Sequence, residues 1–136
     1  MDNILKFLTP KTETYYLDSH SSVRQALEKF DYYKFSCVPL IDKEGKYITT
    51  VSQGDILSFI KNDNNFNIRS AENTNIDDIP KYRPYVALSI DASMEQVLEL
   101  SLEQNFIPIV DDRGIYLGIL KRKTILLHFS KQYNKN

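Results

Sequence analysis

Val38-Pro39-Leu40-Ile41-Asp42, followed by Gly45 and Tyr47, returns later in the chain as Ile107-Pro108-Ile109-Val110-Asp111, followed by Gly114 and Tyr116. The spacing between matched residues is constant, as 39 to 108 and 45 to 114 show. Upstream, Leu17, Ser22-Val23, Gln25 and Leu27-Glu28 match Leu88, Ser93-Met94, Gln96 and Leu98-Glu99, once two extra residues near Tyr32-Tyr33 are allowed. A duplicated unit of this size implies two similar lobes with a cleft between them.

Working outward, Thr14 to Leu17 is a β-prone run, and Ser22-Val23-Arg24-Gln25 has capping-box spacing, which predicts a helix start. Val23, Ala26, Leu27 and Phe30 fall on one apolar stripe of that helix. Cys37 to Ile41 reads as a short buried strand, Lys43-Glu44-Gly45 as a turn and Tyr47 to Val51 as the hairpin partner, before a helix from about Gln53 to Ile60. The second copy repeats the order. Val86 to Ile90 is a strand, Ser93 to Gln96 a second capping box, and Met94, Val97 and Leu98 the helix stripe. Strands at Phe106 to Val110 and Tyr116 to Leu120 flank the turn at Asp112-Arg113-Gly114, and a last helix runs through Phe129. The fold class is therefore α/β of the α+β type. Two β-α-β-β-α repeats related by a pseudo-twofold axis form one compact module. The expected boundaries are an N-terminal segment at 1–13, repeat 1 at 14–61, an Asn-rich linker at 62–84 in which Ile76 and Ile79 dock, repeat 2 at 85–130 and a frayed tail at 131–136.

At 136 residues, each half is too small to be very stable alone, so the two are expected to fold against each other. With 17 basic and 18 acidic residues and a net charge of -1, no global field favours nucleic acid or an anionic membrane. The single Cys37 excludes an internal disulfide, and without a matching Cys/His cluster no zinc site is expected. The opening stretch, Met1 to Leu8, has an early acid and too short an apolar stretch for a signal peptide, and there is no bilayer-length apolar run; a cytoplasmic location with no membrane partner is expected. Ile125, Leu126, Leu127 and Phe129, like Ile56, Leu57, Phe59 and Ile60, give the closing helices more apolar surface than one sheet face requires. Two explanations stand open: a homodimer, or helices set deep between the lobes.

Thr49-Thr50-Val51-Ser52-Gln53-Gly54-Asp55 is the strongest candidate for chemistry, because a strand ends there and a helix begins. A helix N-terminus offers unpaired N–H groups and partial positive charge to a phosphate, and Ser52 could add a hydroxyl donor. Asp55, being acceptor-only, could take hydrogen bonds from ribose hydroxyls. The competing reading is a plain capping box made by the same two residues. The second copy has Lys121 and Thr124 at the matching positions, before a helix just as apolar. Its helix is expected to form without such a box, which invites a second explanation for the first.

These features, in duplicate and in order, resemble a tandem pair of CBS domains, a Bateman module, over nearly all of Tyr15 to Ile60 and Tyr85 to Phe129. Phe7-Leu8-Thr9-Pro10-Lys11, Gln104-Asn105-Phe106 and Asp111 to Gly114 also resemble small stand-alone CBS-pair proteins of Gram-positive bacteria. The resemblance implies an adenine ligand, AMP, ADP, ATP or cyclic di-AMP, in the cleft between the repeats, with no cofactor required. It implies Ser52 on phosphate, Asp55 on ribose, main-chain groups of Ser36, Cys37 and Val38 beside Pro39 on the adenine edge, and Lys11 to Tyr15 closing over base or phosphate. Since Lys121 and Thr124 depart from the pattern, one nucleoside site is expected. Arg122, opening the opposing helix, is the first candidate phosphate cation, against a solvated basic turn; Arg83, entering the second repeat, is a similar candidate whose competing reading, a surface loop cation, is the favoured one.

Three functions follow: a nucleotide-sensing regulator acting on a separate target protein, a dimerisation scaffold that binds no ligand, or an enzyme. Against the enzyme, the sequence has no Ser/His/Asp or Cys/His set, no P-loop and no metal cluster, so no catalytic residue is expected. Cys37 reads as a small core residue, and His20 and His128 have no metal-ligand spacing.

Overall fold

The structure, a computed structural model, describes residues 3–33, 36–62 and 68–134. Its elements are β1 (Leu8–Pro10), β2 (Leu17–Asp18), α1 (Val23–Tyr33), β3 (Cys37–Ile41), β4 (Tyr47–Ser52), α2 (Gln53–Asn62), α3 (Ile68–Asn73), β5 (Leu88–Ser89), α4 (Met94–Ser101), β6 (Phe106–Val110), β7 (Tyr116–Lys121) and α5 (Arg122–Asn134). Single 3-10 turns stand at Ile4–Phe7, Lys11–Glu13 and Ile76–Asp78. Residues 63–67 of the expected linker and 135–136 of the expected tail lie outside the described residues.

The chain forms two compact units, Tyr15–Pro84 and Met1–Thr14 with Tyr85–Asn136. The first holds a sheet of order β2-β3-β4, the second one of order β1-β7-β6-β5. Within each, the hairpin register is the same: Val38 faces Val51 as Ile107 faces Leu120, and a register shift follows Leu40 as it follows Ile109. The repeated Asp and Gly build the turns. Asp42 Oδ1 accepts from Glu44 N and Lys46 N at 2.9 Å, and Asp111 Oδ1 from Arg113 N at 2.8 Å and Ile115 N at 2.9 Å. Gly45 and Gly114 take φ of 89° and 83°, which side-chain-bearing residues adopt at a cost.

Both predicted helix boxes form. Gln25 N donates to Ser22 Oγ while Ser22 N donates to Gln25 Oε1, and Ser93 and Gln96 make the same exchange. The α1 stripe of Val23, Ala26 and Phe30 is buried with Leu17, Val38, Leu40, Val51 and Ile56, with Leu27 packed at the margin. Val97, Ile107, Ile109, Leu120 and Ile125 form the other core with Ile4 and Phe7.

Several elements differ from expectation. Residues 3–13 of the expected N-terminal segment pack with the second repeat: β1 pairs antiparallel with β7, Leu8 against Leu120 and Pro10 against Gly118. Gly118 is required there, since its φ is +149° and a Cβ would stand 2.1 Å from Thr9 O. Of the expected linker, the described residues 68–84 complete the first unit, with α3 against α1, where Arg24 pairs with Glu72, Val23 N donates to Thr74 O at 2.8 Å and Ala71 is buried. As expected, Ile76 and Ile79 are buried. The strand expected at Thr14 to Leu17 begins only at Leu17, because Thr14 N closes the turn onto Lys11 O and Thr14 Oγ1 receives the Tyr116 hydroxyl at 3.0 Å. The strand expected at Val86 to Ile90 shrinks to Leu88–Ser89. Buried Gln104 holds Val86 instead, accepting from its N–H at 2.7 Å and donating to its carbonyl at 3.1 Å. Helix α5 continues to Asn134, beyond the expected end at Phe129 and into the expected frayed tail.

A second repetition emerges only in three dimensions. Asn3 caps the turn at Ile4–Phe7 through Leu5 N, and Asn75 caps the turn at Ile76–Asp78 through Asp77 N. Ile4 and Phe7 are buried in one core as Ile76 and Ile79 are in the other. Each repeat is thus preceded by a segment that completes the other unit's core.

Candidate functional site

Strand β4 runs directly into α2 at Ser52-Gln53, and Ser52 sits opposite Cys37 in the β3–β4 register. Gln53 N closes the junction by donating to Ser36 O at 3.0 Å, the same bond that Arg122 N makes to Asn105 O at 2.9 Å in the other repeat. Ser36, Cys37 and Ser52 therefore share one end of the sheet. Strand β2 lies beside Leu40 and Ile41 only, so the Cys37–Pro39 backbone extends beyond its end.

The capping box at this junction is fully made. Asp55 N donates to Ser52 Oγ at 3.1 Å, and Ser52 N donates to Asp55 Oδ2 at 2.9 Å. Asp55 Oδ1 accepts a third bond, from Tyr82 N at 3.0 Å. Asp55 is 4% exposed, so its carboxylate is a buried acceptor satisfied by two backbone N–H groups. Ser52 is half-buried, and Gln53 and Gly54 are exposed at the helix start. In the other repeat Lys121 is exposed and Thr124 half-buried, without the carboxylate.

Cys37 faces this junction as a neutral thiol. Burial pushes its pKa up to about 11, and nearby Asp55 adds to the rise against a hydrogen bond with Thr50. A thiol so placed is a poor nucleophile. Val38 and Pro39 are buried, and Ser36 is exposed at the strand's entrance.

The candidate cations are divided between the two units. Arg83 is exposed, just beyond Tyr82. Lys11 and Arg122 belong to the other unit, at opposite ends of β7: Lys11 follows the Pro10–Gly118 pair, whereas Arg122 follows the strand's last residue. At about 3.3 Å per strand residue that separates their backbones by roughly 15 Å. Arg122 Nε donates to Ser101 O at 2.7 Å, and the residue lines a groove of ≈ 470 Å³ with Asn105, Lys123, Leu126, Leu127 and Ser130. Tyr15 is exposed two residues before β2. A larger groove, ≈ 640 Å³, follows α1 from Asp18 and His20 to Tyr32 and contains none of the candidate residues.

Lys81 was not singled out from the sequence, yet it lies close to the carboxylate. Its Nζ donates to Asp77 O at 2.6 Å with Asp77 Oδ1 at 3.9 Å, and the side chain is 11% exposed. Burial lowers its pKa, opposed by Asp77, Asp55 and Asp78. Tyr82 was missed for a different reason: it acts through its backbone N–H, which leaves no mark in sequence. Docking of this segment is expected from Ile76 and Ile79; its match to Asn3-Ile4 is the further signal that it repeats the N-terminal turn. Among the described residues no group of three or more His, Cys, Asp or Glu is placed to hold a metal ion, and no helix is long and apolar enough to cross a membrane.

The CBS domain profile matches the chain twice, at residues 7–62 and 76–131. The chain belongs to the CBS domain family and carries two copies of the domain. Among solved structures it is similar to CbpB in complex with c-di-AMP, at 20% identity and TM-score 0.88, over 98% of this chain and 88% of that one. A CBS domain protein from Streptococcus pneumoniae shares 25% identity at TM-score 0.83, over 95% of this chain and 87% of that one. The CBS-pair protein CBSX2 of Arabidopsis thaliana, in complex with AMP, shares 23% identity at TM-score 0.74, over 96% of this chain and 98% of that one. Comparison with curated proteins found no match.

Proposed function

We propose that the chain is a regulatory module that binds one adenine nucleotide, AMP, ADP, ATP or cyclic di-AMP, at the Ser36–Pro39 and Ser52–Asp55 junction, and reports its occupancy to a separate target protein. The observation that carries this reading is the Ser52–Asp55 pair itself. A serine hydroxyl that accepts from Asp55 N keeps its own proton to donate, so capping the helix and binding phosphate are compatible tasks. The exposed start of α2 adds its N–H groups and dipole for the same anion. Asp55 supplies the acceptor for ribose hydroxyls, and the Cys37–Pro39 backbone beyond β2 supplies amide and carbonyl groups for an adenine edge. Arg83, exposed in the same unit, is the cation for a phosphate. The c-di-AMP and AMP complexes of similarly folded CBS proteins support the ligand class.

In this reading the module works in the cytoplasm as a homodimer, for which Leu57, Leu126 and Leu127, exposed at 59%, 59% and 52%, provide apolar surface. The completed cap equally satisfies a scaffold that binds nothing, so the two readings part on ligand binding alone. Thermal unfolding against AMP, ADP, ATP, cyclic di-AMP and S-adenosylmethionine tests them. At one hundred times its Kd, a true ligand adds about 2.7 kcal/mol, a shift of several degrees. No shift with any of them leaves the scaffold, and turnover of a bound nucleotide would make the chain an enzyme.

A further inference from the structure

The carboxylate offered to ribose is already engaged. Asp55 is 4% exposed, with Oδ2 held by Ser52 N inside the cap and Oδ1 held by Tyr82 N from a segment remote in sequence. What holds Tyr82 over the carboxylate is its main chain, because its ring is 59% exposed. Behind it the segment is pinned by buried Ile76 and Ile79 and by the bond from Lys81 Nζ to Asp77 O. Ahead of it, the chain leaves this unit after Pro84 and enters the second repeat at Tyr85.

The other unit provides an internal control. There the equivalent stretch, following the turn at Ile4–Phe7, is fixed as β1 by strand pairing along Gly118 to Leu120. In the first unit Pro80, which has no N–H, follows the turn, and among the described residues β4 pairs only with β3. Strand pairing is replaced by a bond to the one side chain that a ribose would need.

We propose that Tyr82 N–H is a releasable latch on Asp55: ribose hydroxyls and the Tyr82 amide compete for Oδ1, so nucleotide binding frees the segment that leads into the second repeat. The proposal rests on the reading of Asp55 as the ribose acceptor. A hydroxyl can reach so buried an oxygen only where the covering amide withdraws. The exchange trades one backbone donor for a ribose donor, which keeps the carboxylate satisfied in both states. Occupancy is thereby converted into a change in the connecting chain, as a two-state response requires.

The test combines calorimetry with amide hydrogen exchange by NMR on the full chain, using AMP and cyclic di-AMP. With the nucleotide that binds at saturation, the latch requires Tyr82 N–H to exchange at least about tenfold faster while Ser52 N–H keeps its protection. Binding with Tyr82 equally or better protected overturns the latch and leaves the nucleotide reading intact; binding of neither, nor of ADP or ATP in the same titration, overturns both. A Tyr82→Pro variant removes the latch donor, along with an exposed ring that Tyr82→Ala removes as a control, and should bind roughly tenfold more tightly than that control, the equivalent of one hydrogen bond to a charged acceptor. Unchanged affinity in the folded variant refutes the competition. Should that variant not fold, the exchange measurement on the natural chain decides.

Discussion

Asp55→Ala removes both acceptors that join the start of α2 to the strand before it and to the segment at Tyr82. Losing the reciprocal bond from Ser52 N, while the cap bond from the residue-55 N–H to Ser52 Oγ remains, costs about 1 kcal/mol. Leaving the Tyr82 N–H without its charged acceptor adds about 1–3 kcal/mol, part of it offset because a buried carboxylate no longer has to be kept from water. The net expectation is a loss of about 2–3 kcal/mol, read from urea unfolding with an unchanged m-value. In a chain of this size that lowers Tm by roughly 6–10 °C. Ser52→Ala, which deletes only the acceptor for Asp55 N, should cost about 1 kcal/mol. The comparison makes the argument refutable: if Asp55→Ala destabilises no more than Ser52→Ala, the bond to Tyr82 holds nothing.

Gly118→Ala should cost about 3 kcal/mol or more and detach β1, since the new Cβ meets Thr9 O at 2.1 Å; Gly114→Ala, with a φ of +83° but no atom within 4 Å, should cost only about 1 kcal/mol in the same unfolding assay. Cys37 should resist iodoacetamide at pH 8 in the folded chain. Because its folded pKa is raised from 9.0 to about 11, its contribution to stability is complete below pH 9 and lost as pH rises towards 11, an alkaline fall that Cys37→Ser should flatten. Asp111 is the opposite case: the bond from Ile115 N leads the causes that hold its pKa below 3.8, so its contribution is present above about pH 4 and lost as pH falls through the lower folded value. Acid unfolding of Asp111→Ala should accordingly be less steep than that of the natural chain.

Both hairpins were legible in the sequence because their signals are local and doubled. Alternating apolar strands meet at an Asp whose carboxylate organises the turn and a Gly that takes positive φ. The boxes at Ser22, Ser52 and Ser93 were legible for the same reason, each being closed within four residues. What escaped was non-local. Nothing around Leu8 announces that it will pair with Leu120, because β1 is three residues long and its partner lies in the other repeat. Nothing around Val86 announces that the Gln104 amide will take the place of a strand neighbour. Helix α3 was hidden in Asn-rich sequence and is held by packing on α1 more than by its own propensity. At the candidate site, Ser52 and Asp55 stood out as a pair, whereas the grip of Tyr82 N on Asp55 belongs to the backbone and had to be seen.

Calorimetric titration of AMP, ADP, ATP and cyclic di-AMP into the natural chain, Ser52→Ala and Asp55→Asn puts the nucleotide site itself to the test. The account predicts one nucleotide site per CBS pair, weakened about tenfold or more by each substitution, as loss of a phosphate donor or of a charged ribose acceptor requires. Absence of binding to the folded natural chain, or binding that neither substitution weakens, would contradict it.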